Sequence, residues 1–243
     1  MKRYLSVFEM ITRSSIYKVL GILIAMVVAE VITCAISWQQ PLAYMKPTIE
    51  EWVDQSYLLV IFIVAYFLMS AVLVLPGTNI GSVQGYTLQR LRISEKSVYR
   101  LQCLYNILCL VLLWVTQLAA LLGISAFYMQ YKENVVKTNM TVFLAFHRNE
   151  FMHSILPLQD IGGWALLVFF IVCTGIFAAR FTKSQRDGKL DWTLVVFLAA
   201  FCIFFPQALG EVPVFVFVML LIWGVFGLGK AIMSREVSED EKK

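Results

Sequence analysis

The residues of this chain that could do chemistry are few, and most sit among apolar neighbours. Glu30 is the one acid clearly inside an apolar stretch. Inserting a central carboxylate into hydrocarbon costs roughly 2.5–3.5 kcal/mol, while the ten Leu, Ile and Val residues between Val19 and Ile36 return about 3–6 kcal/mol. The stretch can therefore carry the acid toward its outer end. Glu30 adjoins Gly21, Ala25 and Ala29, small residues at a spacing that permits close approach of a second helix. It is read either as a polar group at such a seam or substrate path, or as a carboxylate reaching the outer headgroups. Gln117, next to Thr116 in another apolar stretch, needs a hydrogen-bonding partner in hydrocarbon.

His147, Glu150 and His153 are the only cluster of metal-ligating types. Their i, i+3, i+6 spacing drifts by about 60° per step around a helix, unlike the i, i+4 pair of a zinc helix. They read as polar residues of an outer loop, and no metal site is expected. Gly224-Val-Phe-Gly-Leu-Gly229-Lys230 nearly spells a phosphate-binding loop, but Ala231 stands where Ser or Thr holds magnesium. Glycines for helix packing and a lysine reaching the surface explain it better. Cys34, Cys103, Cys109, Cys173 and Cys202 fall in or beside apolar stretches, without CxxC spacing, and read as small buried side chains. No Ser/His/Asp set, GxSxG, CxxCH or intramembrane carboxylate pair occurs in the sequence. No catalytic residue is assigned, and the chain is not expected to be an enzyme.

The elements that must position these residues are membrane helices. Of 243 residues, 60% are apolar and 15% charged, with mean hydropathy +0.76. Segments long enough to cross about 30 Å of hydrocarbon recur throughout. The expected fold is all-α and polytopic, a single transmembrane domain over 1–243. Six spans are expected at 17–38, 57–75, 101–128, 161–181, 192–210 and 212–233, followed by a tail at 234–243. Residues 1–16 place Tyr4, Leu5, Phe8 and Ile11 on one stripe near Lys2, Arg3 and Arg13, as in an amphipathic helix lying in the interface. The first apolar run is too long for a cleaved signal peptide, and no small-residue cleavage site follows it. Pro206 is expected to kink or end the fifth span, making a tight hairpin with the sixth.

Lys and Arg residues fix the expected orientation. The N-terminal segment through Lys18, loop 76–100, loop 180–191 and the C-terminal end from Lys230 carry four each, sixteen in all, against Lys46, Lys132, Lys137 and Arg148 on the other side. Both termini and loop 76–100 are thus expected in the cytoplasm, and loop 129–160 outside. Asn139-Met-Thr141 in that outer loop matches a glycosylation sequon by chance.

Loop 76–100 is the best surface for a cytoplasmic partner. Gly77, Gly81 and Gly85 loosen its start, and 86–92 reads as a short amphipathic helix. Leu88 and Leu91 lie on its apolar side and Arg90 and Arg92 at its rim, while Ser94 with Glu95 can cap the helix that follows.

Six spans, an interfacial N-terminal helix and this basic loop resemble the permease subunits of type-2 ABC transporters. The run Tyr86-Thr-Leu-Gln-Arg-Leu-Arg-Ile-Ser-Glu-Lys-Ser-Val-Tyr99 is similar to that family's cytoplasmic coupling segment. The outer run Phe143-Leu-Ala-Phe-His-Arg-Asn-Glu-Phe-Met-His-Ser-Ile-Leu-Pro157-Leu is also similar to standalone Gram-positive members. The chain departs from the family in its minimal link between the last two spans. The resemblance implies that Tyr86, Leu88, Gln89, Arg90, Leu91, Arg92 and Glu95 meet a separate ATPase subunit, present in two copies. ATP and magnesium would be bound there, with no cofactor on this chain, and a second permease subunit, identical or different, would pair with it. The implied setting is the bacterial cytoplasmic membrane and its lipids, with no nucleic acid among the partners. The implied function is ATP-driven export of a peptide, lipid-like or amphipathic substrate. The competing expectation is a membrane sensor or assembly protein whose outer loop binds a ligand.

Overall fold

The computed structural model describes residues 2–39, 48–78, 95–131, 139–186 and 191–205. The described residues form helices and connecting turns, with no strand among them. In chain order the helices are α1 (Lys2–Gln39), α2 (Ile49–Gln55), α3 (Leu58–Thr78), α4 (Glu95–Tyr131), α5 (Asn139–Arg148), α6 (Glu150–Ile155), α7 (Ile161–Arg186) and α8 (Thr193–Phe204).

Among the described residues, four segments are long and apolar enough to cross a membrane: Ser15–Trp38, Leu58–Leu75, Ser97–Gln130 and Ile161–Gln185, of 24, 18, 34 and 25 residues. They overlap the first four expected spans, and the chain is an α-helical, multi-pass membrane protein. α8 is apolar but has only 12 residues, about 18 Å of helix. The remainder of the expected fifth span, the sixth span at 212–233 and the tail lie outside the described residues.

One expectation is corrected. Residues 1–16 were expected as a separate interfacial helix, but Lys2–Gln39 is one helix of 38 residues. Neither Gly nor Pro interrupts residues 2–20, so nothing frees the backbone bonds that a turn into the interface would have to break.

The long helices pack in the cyclic order α1, α3, α7, α4. α2, α5 and α6 gather at one end, the cap end, and α8 lies along α7. Val60, Val64, Leu68, Leu104, Leu108, Val115 and Val168 face outward, while Glu30, Ser70, Gln102, Asn106, Gln117 and Thr174 face inward. An apolar exterior over a partly polar interior suits hydrocarbon as the solvent.

Polar contacts tie the ring together. The Asn106 amide donates to the Gly175 carbonyl at 3.1 Å between α4 and α7. The Tyr66 hydroxyl meets Thr174 Oγ1 at 2.7 Å between α3 and α7. Tyr66 also stacks on Phe201 of α8, with ring centroids 3.9 Å apart, joining an aromatic core with Phe62, Phe170 and Phe205. At the end opposite the cap, the base end, Ser15 on α1 donates to the Tyr105 hydroxyl on α4 at 3.0 Å.

α8 is fastened at the base end by Arg180, whose guanidinium lies 2.7 Å from Asp191. Burial alone would raise the Asp191 carboxyl, but the amide and hydroxyl of Thr193 and the Arg180 charge outweigh it and hold the group below its usual range. A depressed carboxyl adds stability above its unfolded pKa and loses it as pH falls through the folded one. Detergent-solubilised protein should therefore lose roughly 1 kcal/mol of heat stability on acidification below about pH 4. Asp191→Asn should lower the melting temperature at pH 7 and abolish that acid dependence. An unchanged acid profile in Asp191→Asn would count against the fastening.

Candidate functional site

α1 buries a stripe of Val19, Leu23, Met26, Glu30 and Cys34 against the bundle. This is the i, i+4, i+7, i+11, i+15 face of one helix, so Glu30 takes an inward position that its neighbours make apolar. α4 buries Leu110, Leu113, Gln117, Leu121, Ile124 and Tyr128 on its own inward face. α1 and α4 pack side by side and run in the same direction, with Ser15 beside Tyr105 at the base end and Trp38 beside Phe127 at the cap end. In that register Glu30 and Gln117 meet.

Both side chains are 0% exposed. The Gln117 amide is close enough to Glu30 to interact electrostatically, yet neither group makes a hydrogen bond of ordinary geometry. Ser125, two turns capward on α4, is also buried with its hydroxyl unpartnered. Thr116, by contrast, bonds its own helix through the Leu112 carbonyl at 2.8 Å.

An aromatic layer covers the pair from the cap end. Trp38 packs edge-on against Trp52, Phe127 and Tyr128, with centroids 5.3, 5.7 and 6.5 Å away. The Trp52 indole N–H donates to the Cys34 carbonyl at 3.3 Å, fixing α2 one turn capward of Glu30. α2 is held in shape by a capping box, in which Thr48 and Glu51 exchange bonds at 2.9 and 3.3 Å.

The small residues expected beside Glu30 are not beside it. Gly21 and Ala25 are exposed on the outside of α1, and space stands open where a Gly21 side chain would be. Nine residues, the interval from Gly21 to Glu30, rotate a helix by about 180°, so the two belong to opposite faces. Ala29 is half-buried between those faces.

His147 and His153 do come together, with ring centroids 5.8 Å apart. Asn149, in an extended conformation, breaks the helix between α5 and α6, and this removes the rotation that a continuous helix would impose. Glu150 is exposed, and it lines a cap-end cavity of about 170 Å³ with Asp54, Tyr57, Leu58 and Phe151. Among the described residues no group of three His, Cys, Asp or Glu side chains is arranged to hold a metal.

Tyr86, Leu88, Gln89, Arg90, Leu91 and Arg92 lie outside the described residues. Glu95 is the first residue of α4.

The sequence reading missed Asn149. Its side-chain oxygen caps α6 by accepting from the Met152 amide at 3.0 Å. Its amide donates to Asp54 at 2.8 Å and to the Glu50 carbonyl at 3.4 Å on α2. An Asn preceding Glu-Phe-Met was a visible N-cap signal, but the partners on α2 were not visible. Asn106 was missed as well, although a lone amide in phase with Gln102 and Leu113 marks an inward polar position. Against known families, characterised proteins and solved structures, the chain has no match.

Proposed function

We propose that this chain is the non-enzymatic membrane subunit of an ATP-driven exporter of the type-2 ABC permease kind. Its spans number six, its base end faces the cytoplasm of a bacterial cell, and its ATPase is a separate polypeptide. The observation that carries the reading is the convergence of positive charge with the connection between α3 and α4. Both stumps of that connection, the end of α3 and Glu95 of α4, emerge at the base end, where α1, α4 and α7 also bring Arg13, Lys18, Arg100, Arg180 and Lys183. Energy must enter such a protein through a protein contact, and residues 86–100 carry the apolar and basic groups suited to a helix-in-groove mode of docking.

The test is Leu88→Asp combined with Leu91→Asp, in cells expressing the chain with its candidate ATPase. Two apolar anchors worth roughly 1–3 kcal/mol each should carry more of the docking than rim charges screened by salt. Co-purified ATPase should fall at least tenfold while the membrane subunit still inserts and runs as a single species. Arg90→Ala should weaken docking only about twofold. Full co-purification by the double aspartate variant, or no ATPase partner at all, would overturn the reading.

A second reading, a membrane sensor or assembly protein, is favoured by the built cap. Asn149 locks α2 to α6 around the cavity at Asp54, Tyr57 and Glu150, a more ordered outer surface than a plain connection needs. In that case the double aspartate variant leaves function intact.

A further inference from the structure

The seam between α1 and α4 holds a carboxyl and a carboxamide that are both fully buried, and neither makes a hydrogen bond among the described residues. An ionised carboxylate buried without a partner costs several kcal/mol even after relaxation. The described groups around Glu30 offer it no cation. On α1 itself the nearest titratable side chain is Cys34, which is buried. On α4 the buried titratable groups are Tyr105 and Cys109 in the base half and Tyr128 in the cap half, with Cys103 half-buried in the base half and Glu95, Lys96, Tyr99 and Arg100 in its first turns at the base end. α3 contributes only Tyr66, which is turned to Thr174, and α2 brings Glu50, Glu51 and Asp54, which are also acids. The described cations stand at the base end, apart from Arg148, which is exposed on α5.

We propose that Glu30 and Gln117 form a proton-binding site, with Glu30 a neutral carboxylic acid while the seam is closed. A carboxylic acid and a carboxamide are complementary. The acid O–H donates to the Gln117 oxygen and the Gln117 N–H donates to the Glu30 carbonyl oxygen, so small side-chain rotations satisfy four buried atoms. No other described residue bonds them. The proton enters and leaves when the cap half of the seam opens. Glu30 lies about 14 Å of helix from the α1 terminus at Gln39, but about 22 Å from Ser15. Between Glu30 and Ser15 the stripe is Val19, Leu23 and Met26 alone. Toward the cap there is the Ser125 hydroxyl, and then the ring contacts of Trp38 and Trp52. Ionisation would place an unpaired charge in the seam, so release of the proton and separation of α1 from α4 are one event. This site does not depend on the transport reading, since it requires no partner subunit.

Infrared spectroscopy of the purified full-length protein in lipid vesicles reads the protonation state directly. At pH 7 the wild type should show the carbonyl stretch of a protonated carboxylic acid, shifted on exchange into heavy water. The band should vanish in Glu30→Gln, which keeps the seam paired as two carboxamides and is expected to fold. In Gln117→Leu it should persist at a higher frequency, because the acceptor is gone, and this variant decides the matter if Glu30→Gln fails to fold. A carboxylate band assigned to Glu30 at pH 7 and below would overturn the proposal and point to a bound cation instead. An acid band unaffected by either substitution, or one that never exchanges in heavy water, would overturn it too.

Discussion

Gly175→Leu is expected to split α4 from α7 and to be among the most damaging single changes in the chain. A side chain at this position would start 2.6 Å from Ile107 Cγ1, 3.1 Å from the Ile107 backbone nitrogen and 3.3 Å from its Cα. The isoleucine side chain can rotate away, but the backbone cannot, so the helices themselves must part. Even alanine should cost about 1–3 kcal/mol through overpacking. Leucine adds further volume and pulls the Gly175 carbonyl from the Asn106 amide, now 3.1 Å away. Stranding that buried amide costs about another 1–3 kcal/mol. Thermal unfolding in mild detergent should show a loss of monodisperse protein at temperatures where the wild type is intact. Ile107→Ala should rescue the part of the Gly175→Ala loss that comes from the Ile107 side chain, and little of the Gly175→Leu loss, in which the added volume presses on the Ile107 backbone. If Gly175→Leu melts with the wild type, α4 and α7 do not meet at this point.

Asn149→Leu should have the next largest effect, confined to the cap. The substitution removes the α6 N-cap, worth about 1 kcal/mol, together with both bonds to α2. Asn149 is 4% exposed, so the loss should total roughly 2–3 kcal/mol. α2 should become a protease target while the long helices stay protected. Asn149→Asp separates the two roles: it keeps an acceptor for the Met152 amide but sets a second carboxylate against Asp54. It should therefore retain α6 and still release α2. Equal protease resistance in all three proteins would show that the cap is held by its apolar contacts alone.

What could be read from the sequence divides along the difference between one helix and two. Apolar length alone locates the bodies of α3, α4 and α7, because hydrocarbon imposes that length on any crossing helix. Glu30 and Gln117 were each recognisable as expensive in hydrocarbon; Gln117 called for a partner, while Glu30 could equally have reached the outer headgroups, and its full burial shows that it does not. That they are each other's neighbours depends on the register of two separate helices, which no local pattern encodes. The grouping of Gly21 and Ala25 with Glu30 failed for a simpler reason: four-residue steps from Gly21 reach Ala29, and the next residue already lies about 100° further round. His147 and His153 were placed apart on the assumption of one continuous helix. Asn149, between them, could have warned of the break.

α4 is tall. It carries no charged residue over the 28 positions from Leu101 to Tyr128, about 42 Å along its axis against about 30 Å of hydrocarbon. A lipid bilayer meeting that flank must stretch along it, or the helix must lean. Either adjustment costs fractions of a kcal/mol per ångström, so the thickness of the host bilayer becomes a term in the protein's own conformational balance. Two copies meeting along their tall flanks would share a single collar of stretched lipid. The membrane's elasticity, rather than any side chain, would then draw them together.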